Sequence, residues 1–155
     1  MNNPRFLWIL ILILSALLAT GIYKFVTGSV APSKDGRTAV VLNTAERNLV
    51  LSEMRAFLVS LQAVSQAITE EDRETVIREA TRAGMAAEAD TPAALLAKIP
   101  LAMKQLGFGT RGKFDDIASA ARDGADMKQL RRQLDALMNN CIACHASFRL
   151  PEPAN

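Results

Sequence analysis

From Met127 onward the apolar positions of this chain recur in steps of three and four: Met127, Leu130, Leu134, Leu137, Cys141, Cys144 or its neighbour His145, and Phe148. That spacing places them on one stripe of a helix, and a stripe this long is covered only by packing lengthwise against other helices. Lys128, Arg131, Arg132 and Asp135 fall off the stripe and read as a solvated face. The composition agrees. Half the residues are hydrophobic but only 5% are aromatic, and Ala and Leu dominate, a mixture that favours helix.

Three further helical blocks precede the seam. The first spans about Thr44 to Ile68, with Asn43 and Glu46 spaced as a cap and Val50, Met54, Phe57, Leu58, Leu61 and Ile68 on one stripe. The second runs from about Glu70 to Ala83, with Thr69 as the expected cap and Gly84 as the stop. The third opens at "DTPAALL", with Thr91 as cap and Pro92 at the first helical position, and Pro100 must kink or restart it. Gly107, Gly109 and Gly112 interrupt that block, which predicts either a loop or backbone held close to something flat and bulky. Four helices, short connections and no strand signal give an all-α chain, an antiparallel four-helix bundle behind an N-terminal transmembrane helix.

The N-terminus carries 18 uncharged residues from Phe6 to Tyr23, near the lower limit for a membrane span, with Trp8 and Tyr23 near its ends. An uncleaved anchor and a secretory signal peptide both fit. The apolar run is long for a signal core, and the best cleavage site, "SVA" at 29–31, would leave Pro32 first. The expected organisation is a membrane anchor over 1–26, a flexible Gly/Ser/Pro linker over 27–39, and a folded domain over 40–155. Beyond the first 27 residues the basic and acidic side chains balance, and no basic face marks a nucleic-acid partner.

"NNCIACHASFR", residues 139–149, contains both cysteines and the single histidine. Cys141-Ile-Ala-Cys144-His145 has the spacing of covalent c-type haem attachment. Two thiols one helical turn apart can add to the two vinyl groups of one porphyrin edge, and the next imidazole reaches the iron from the same helix. The alternatives lack their context. A redox-active thiol pair wants a helix N-terminus, a zinc site wants further ligands, and a disulfide does not close easily between residues three apart in a helix. Attachment of haem c takes place outside the cytoplasmic membrane of bacteria. That sets the domain in the periplasm and the anchor N-in, against a weak charge count around the segment that favours the other orientation.

A helical bundle with Cys-x-x-Cys-His near its C-terminus, followed by "ASFR", resembles the class II cytochromes c, the cytochrome c′ family. The resemblance spans about residues 40–150 and is most specific in the last helix. It implies that Cys141 and Cys144 are the thioether sites, that His145 is the proximal iron ligand, and that Arg149 lies near a haem propionate, where residue pattern alone would make it a surface arginine near a frayed end. Low-spin members of the family carry electrons and present a methionine from the first helix; high-spin members leave the iron five-coordinate and bind small gases. Met54 is the counterpart here, although by pattern alone it is core filler. Val50 stands where many members have arginine, and aligning Arg47 with that arginine would set Leu51 over the iron instead. Met127 and Met138 ride the helix of His145, and Met85 and Met103 lie on less suitable segments.

The expectation is therefore a single-pass inner-membrane cytochrome with one covalent haem, passing single electrons to a redox partner protein. A gas-binding protein, a haem subunit of a membrane complex, and a soluble periplasmic form after signal cleavage are the alternatives. The sole histidine is already used, so no enzyme is expected. Class II proteins often pair through their first two helices, which implies a homodimer.

Overall fold

The computed structural model describes residues 4–153. It is mostly helical. Helix α1, Pro4–Thr27, has 24 residues and no buried side chain. At 1.5 Å per residue it is about 36 Å long, long and apolar enough to cross a membrane or to serve as a signal sequence.

The segment expected as a flexible linker is folded. Strands β1, Val30–Pro32, and β2, Thr38–Val40, pair antiparallel, and β2 also pairs in parallel with β3, Phe148–Arg149, immediately after the last helix. Val40 and Leu42 are buried in a small core with Val50 and Leu95, against which Phe148 and Leu150 pack. The segment is ordered because it covers that core, and the strand it joins lies more than a hundred residues away, so its local composition shows only the polar turn.

Helix α2, Thr44–Thr69, starts at Asn43 with both bonds of a capping box: Glu46 N–H to Asn43 Oδ1 and Asn43 N–H to Glu46 Oε2, each 2.9 Å. Thr69 is the last residue of α2 and caps nothing. Helix α3, Arg73–Ala83, begins instead at Asp72, whose Oδ1 accepts from Thr75 N–H at 3.0 Å, and ends at Gly84. A 3₁₀ turn over Met85–Asp90 follows. Helix α4, Ala93–Lys98, has Pro92 rather than Thr91 at its N-cap; Pro100 then restarts the chain as α5, Leu101–Arg122. The three glycines of α5 sit inside this continuous helix, not in a loop. Helix α6, Met127–Ser147, is capped by Asp126, which accepts from Gln129 N–H at 2.7 Å.

Helices α2, α3, α5 and α6 pack in a closed ring, each against two of the others. They share one apolar core in which Val64, Val76, Phe114, Ile117, Leu130 and Leu137 are fully buried. Each such side chain contributes about 1.5–3 kcal/mol. α2 and α6 run in opposite directions. Arg131 near the start of α6 donates to Ser65 Oγ at 2.9 Å and to the Ser65 carbonyl at 3.1 Å, late in α2, while the end of α6 faces the first half of α2.

The end of the apolar helix contacts this domain. Lys104 of α5 is 5% exposed; its Nζ donates to the Phe25 carbonyl at 2.9 Å and lies 3.5 Å from the centre of the Phe25 ring. Gly28, at φ +65°, is pressed against the Lys98–Pro100 backbone, where a Cβ would overlap main-chain atoms. Ser29 N–H donates to the Lys98 carbonyl at 2.7 Å, and Val41 N–H to the Ser29 carbonyl at 2.8 Å.

Candidate functional site

Cys141, Cys144 and His145 occupy the last two turns of α6, at a spacing that brings all three to one side of the helix. They line a cavity of about 390 Å³. Leu51, Met54, Phe57, Leu58 and Leu61 form its α2 wall, and Leu106, Gly107, Thr110 and Phe114 its α5 wall. The lining is almost wholly apolar; Arg55 is its one cationic side chain. Gly107 faces open space, with no heavy atom within 4 Å of where a Cβ would stand, so the missing side chain widens the cavity.

A second hollow, of about 280 Å³, continues past His145. Leu51, Met54, Cys144 and His145 line both hollows, whereas Arg37, Met103, Phe148 and Arg149 line only the second. The structure thus brings together Met54, His145 and both cysteines. Leu51 stands one turn before Met54 on the same wall. Met103, expected on a less suitable segment, lines the smaller hollow together with His145. Met85 is exposed and lines neither hollow.

Both thiols are free, and burial pushes both above the ordinary thiol range. A pair raised by burial in the last turns of a helix lacks the lowered pKa of a dithiol exchange centre. Among the described residues no three His, Cys, Asp or Glu side chains converge as a chelating cluster. A flat, apolar, covalently attachable group does fit: thiols one turn apart on one wall, an imidazole beside them, a thioether on the facing helix, and apolar side chains between.

Arg149 is not near a frayed end. It is held in β3, and its Nη1 lies 3.1 Å from Ser33 Oγ and 3.4 Å from Asp35 Oδ2. Asp35 also binds Arg37, at 2.7 Å to Nη2 and 3.0 Å to Nε, and these bonds hold its carboxyl far below the usual carboxylate range. Arg37 Nη1 in turn donates to the His145 backbone carbonyl at 3.4 Å.

Sequence reasoning also missed the charged group behind Met54. Arg111, 5% exposed, pairs through Nε with Glu88 at 2.7 Å and through Nη2 with Glu53 at 3.6 Å. Its guanidinium lies 4.7 Å from the Phe57 ring centre, and Phe57 stacks on Phe114 with centroids 6.0 Å apart. Burial raises the Glu53 carboxyl above its ordinary value. The sequence carried no distinguishing signal, because Arg111 is one of several charged residues in its block, with Lys104, Lys113, Asp115 and Asp116.

The chain matches no family model, no curated protein and no solved structure.

Proposed function

We propose that this chain is a membrane-tethered c-type cytochrome that passes single electrons on the periplasmic face of the inner membrane, with α2, α3, α5 and α6 as an antiparallel four-helix bundle of the class II type. One observation carries the reading: Cys141, Cys144 and His145 share an apolar cavity with Met54 of a different helix. In this reading Cys141 and Cys144 would hold one haem c through thioether bonds, His145 would be an iron ligand from α6, and Met54 would be a second iron ligand from α2. The haem, when bound, supplies a reversible ferric–ferrous couple, and methionine ligation raises its potential.

The residues around it do the rest. Leu51, Phe57, Leu61, Leu106 and Phe114 keep water from one side of the cavity. The capping box and the seam of α6 fix the two helices, so that imidazole and thioether are presented by rigid elements. The junction at Gly28 and Ser29 supports the anchor over a cleaved signal, since cleavage after Ala31 would remove the backbone bonds to Lys98 and Val41.

A second reading rests on Leu51, which lines both hollows beside Met54. With Leu51 over the iron, the protein would be five-coordinate and bind nitric oxide or carbon monoxide. The intact mass of the purified protein and its absorption spectrum, with and without carbon monoxide, decide. Electron transfer predicts one haem that resists acid-acetone extraction and a low-spin ferrous form slow to take up the gas. Haem that extracts freely, or its retention by the Cys141→Ala, Cys144→Ala double variant, overturns the assignment.

A further inference from the structure

Met54 is backed by a charged strut. Helices α2 and α5 stand diagonally in the ring, each packed against α3 and α6, and the larger cavity lies between their facing sides. Two side-chain links cross that diagonal. The Phe57 ring of α2 stacks on Phe114 of α5. The Arg111 guanidinium of α5 reaches Glu53 of α2 and lies over the same Phe57 ring. Glu53 immediately precedes Met54 and Phe57 follows it by one turn, so the two links bracket Met54. A third hollow, of about 60 Å³, has Glu53, Met54 and Phe57 on its α2 side and Gly107 and Arg111 on its α5 side.

The strut is itself held in place. Nε of Arg111 is committed to Glu88 in the 3₁₀ turn and Nη2 to Glu53, so the fork fixes direction as well as reach. Asp115, one turn further along α5, accepts from the Met85 N–H at 2.9 Å and fastens the start of the same 3₁₀ turn to α5. Buried charges tolerate little separation, and a buried ion cluster serves best as a device that sets register between elements.

Register matters here because Leu51 and Met54 are close rivals. Three residues apart on one helix, they differ by about 60° around its axis and about 4.5 Å along it. A small turn or slide of α2 would exchange one for the other. On the reading of Met54 as an iron ligand, we propose that Arg111 is its positioning residue: by holding Glu53 and Phe57 toward α5, it fixes the rotation and height of α2 so that Met54, and not Leu51, is presented to the group attached at Cys141 and Cys144.

The test is carbon monoxide uptake by the full ferrous chain in detergent, followed by absorption and set beside thermal melting. Arg111→Met alone leaves two carboxylates without their cation, so uptake and stability would change together. The deciding variant combines Arg111→Met, Glu53→Gln and Glu88→Gln, which removes the cluster as a whole. It is expected to keep covalent haem, to melt near wild type, and to take up the gas roughly tenfold faster, because Met54 is held less firmly. Arg111→Lys keeps the charge but not the fork and is expected to be roughly threefold faster; it decides alone should the triple variant not fold. Arg131→Met is the control for loosening α2 elsewhere. It breaks the bonds to Ser65, about three turns from Met54, and should lower the melting temperature with uptake close to wild type.

Wild-type uptake by the triple variant, an equal acceleration by Arg131→Met, or wild-type uptake by Arg111→Lys overturns the positioning role and leaves the cytochrome reading intact. Wild-type ferrous protein that is already high-spin and binds the gas on mixing overturns the Met54 assignment and this role with it. Wild-type protein without covalent haem overturns the whole reading.

Discussion

Met54 on α2 and His145 on α6 line the same two hollows from helices that run in opposite directions. Each is presented by a continuous helix, so neither needs a loop to move for both to reach one bound group. Met54→Ala is expected to turn a low-spin ferrous protein into a high-spin one that takes up carbon monoxide on mixing, with a lowered potential. Met103→Ala is the demanding control, since Met103 shares the smaller hollow; it should leave the spectrum nearly unchanged, as should Met85→Ala. A wild-type protein already high-spin and quick to bind the gas would put Leu51 over the iron.

Gly28→Val tests the junction with the apolar N-terminal helix. The position has φ +65° and its would-be Cβ meets the Lys98 carbonyl and the Ile99–Pro100 backbone, neither of which can swing away. A left-handed backbone alone costs a non-glycine residue about 1–2 kcal/mol, and the overlap adds to it. Thermal unfolding in detergent should drop by several degrees, and trypsin should cut faster at Lys34 and Arg37. An unchanged melting curve would show that the helix end is only loosely apposed.

Arg111→Met leaves the Glu53 and Glu88 carboxylates facing each other without their cation. Removing one partner of a buried ion pair costs about 3–5 kcal/mol, and adding Glu53→Gln and Glu88→Gln should recover most of it. The loss is expected to depend on pH. Glu53, raised already by burial, rises further once Arg111 is gone. The native state then binds a proton more readily than the unfolded state, so stability of the variant increases as pH falls from neutral toward the ordinary carboxylate value. Melting temperatures of Arg111→Met between neutral and mildly acidic pH check the sign.

Glu46 gives the opposite slope. Its bond from Lys98, with Nζ at 2.6 Å, and its bond from the Asn43 N–H hold its carboxyl below the ordinary value. The stability this gives is present above the unfolded-state pKa, about 4.3, and is lost as pH falls through the lower folded-state value. Glu46→Gln should therefore melt below wild type at pH 7, and the gap should narrow on acidification. A gap independent of pH would assign the effect to shape alone.

Local chemistry made much of this molecule legible. Asn43 and Glu46 announced their cap because every atom involved lies within four residues. The seam from Leu130 to Leu137 announced its burial because helical period and core face coincide. The motif at Cys141–His145 announced itself by spacing, and the cavity beside it was implied by the stripe of α2. What stayed hidden depends on distant pairing. Val30–Val40 looked like a spacer because its partner strand is at Phe148–Arg149. Asp72 displaced Thr69 as a cap because α2 runs through Thr69, one residue beyond the last position of its apolar stripe. Arg111 stayed hidden because its partners Glu53 and Glu88 are brought to it only by the packing of α2 and the 3₁₀ turn.

The parallel pairing of β2 with β3 ties almost the first folded residues to almost the last. During synthesis the apolar helix emerges first and the hairpin after it, yet the edge of β2 has nothing to pair with until residue 148 has been made. Helix α6, which closes the core, is equally late. The chain therefore completes its fold only after Cys141, Cys144 and His145 have followed the rest of the domain out. Until then the two thiols are carried on an open end, and strand pairing afterwards fastens that end beside the strands that follow the apolar helix.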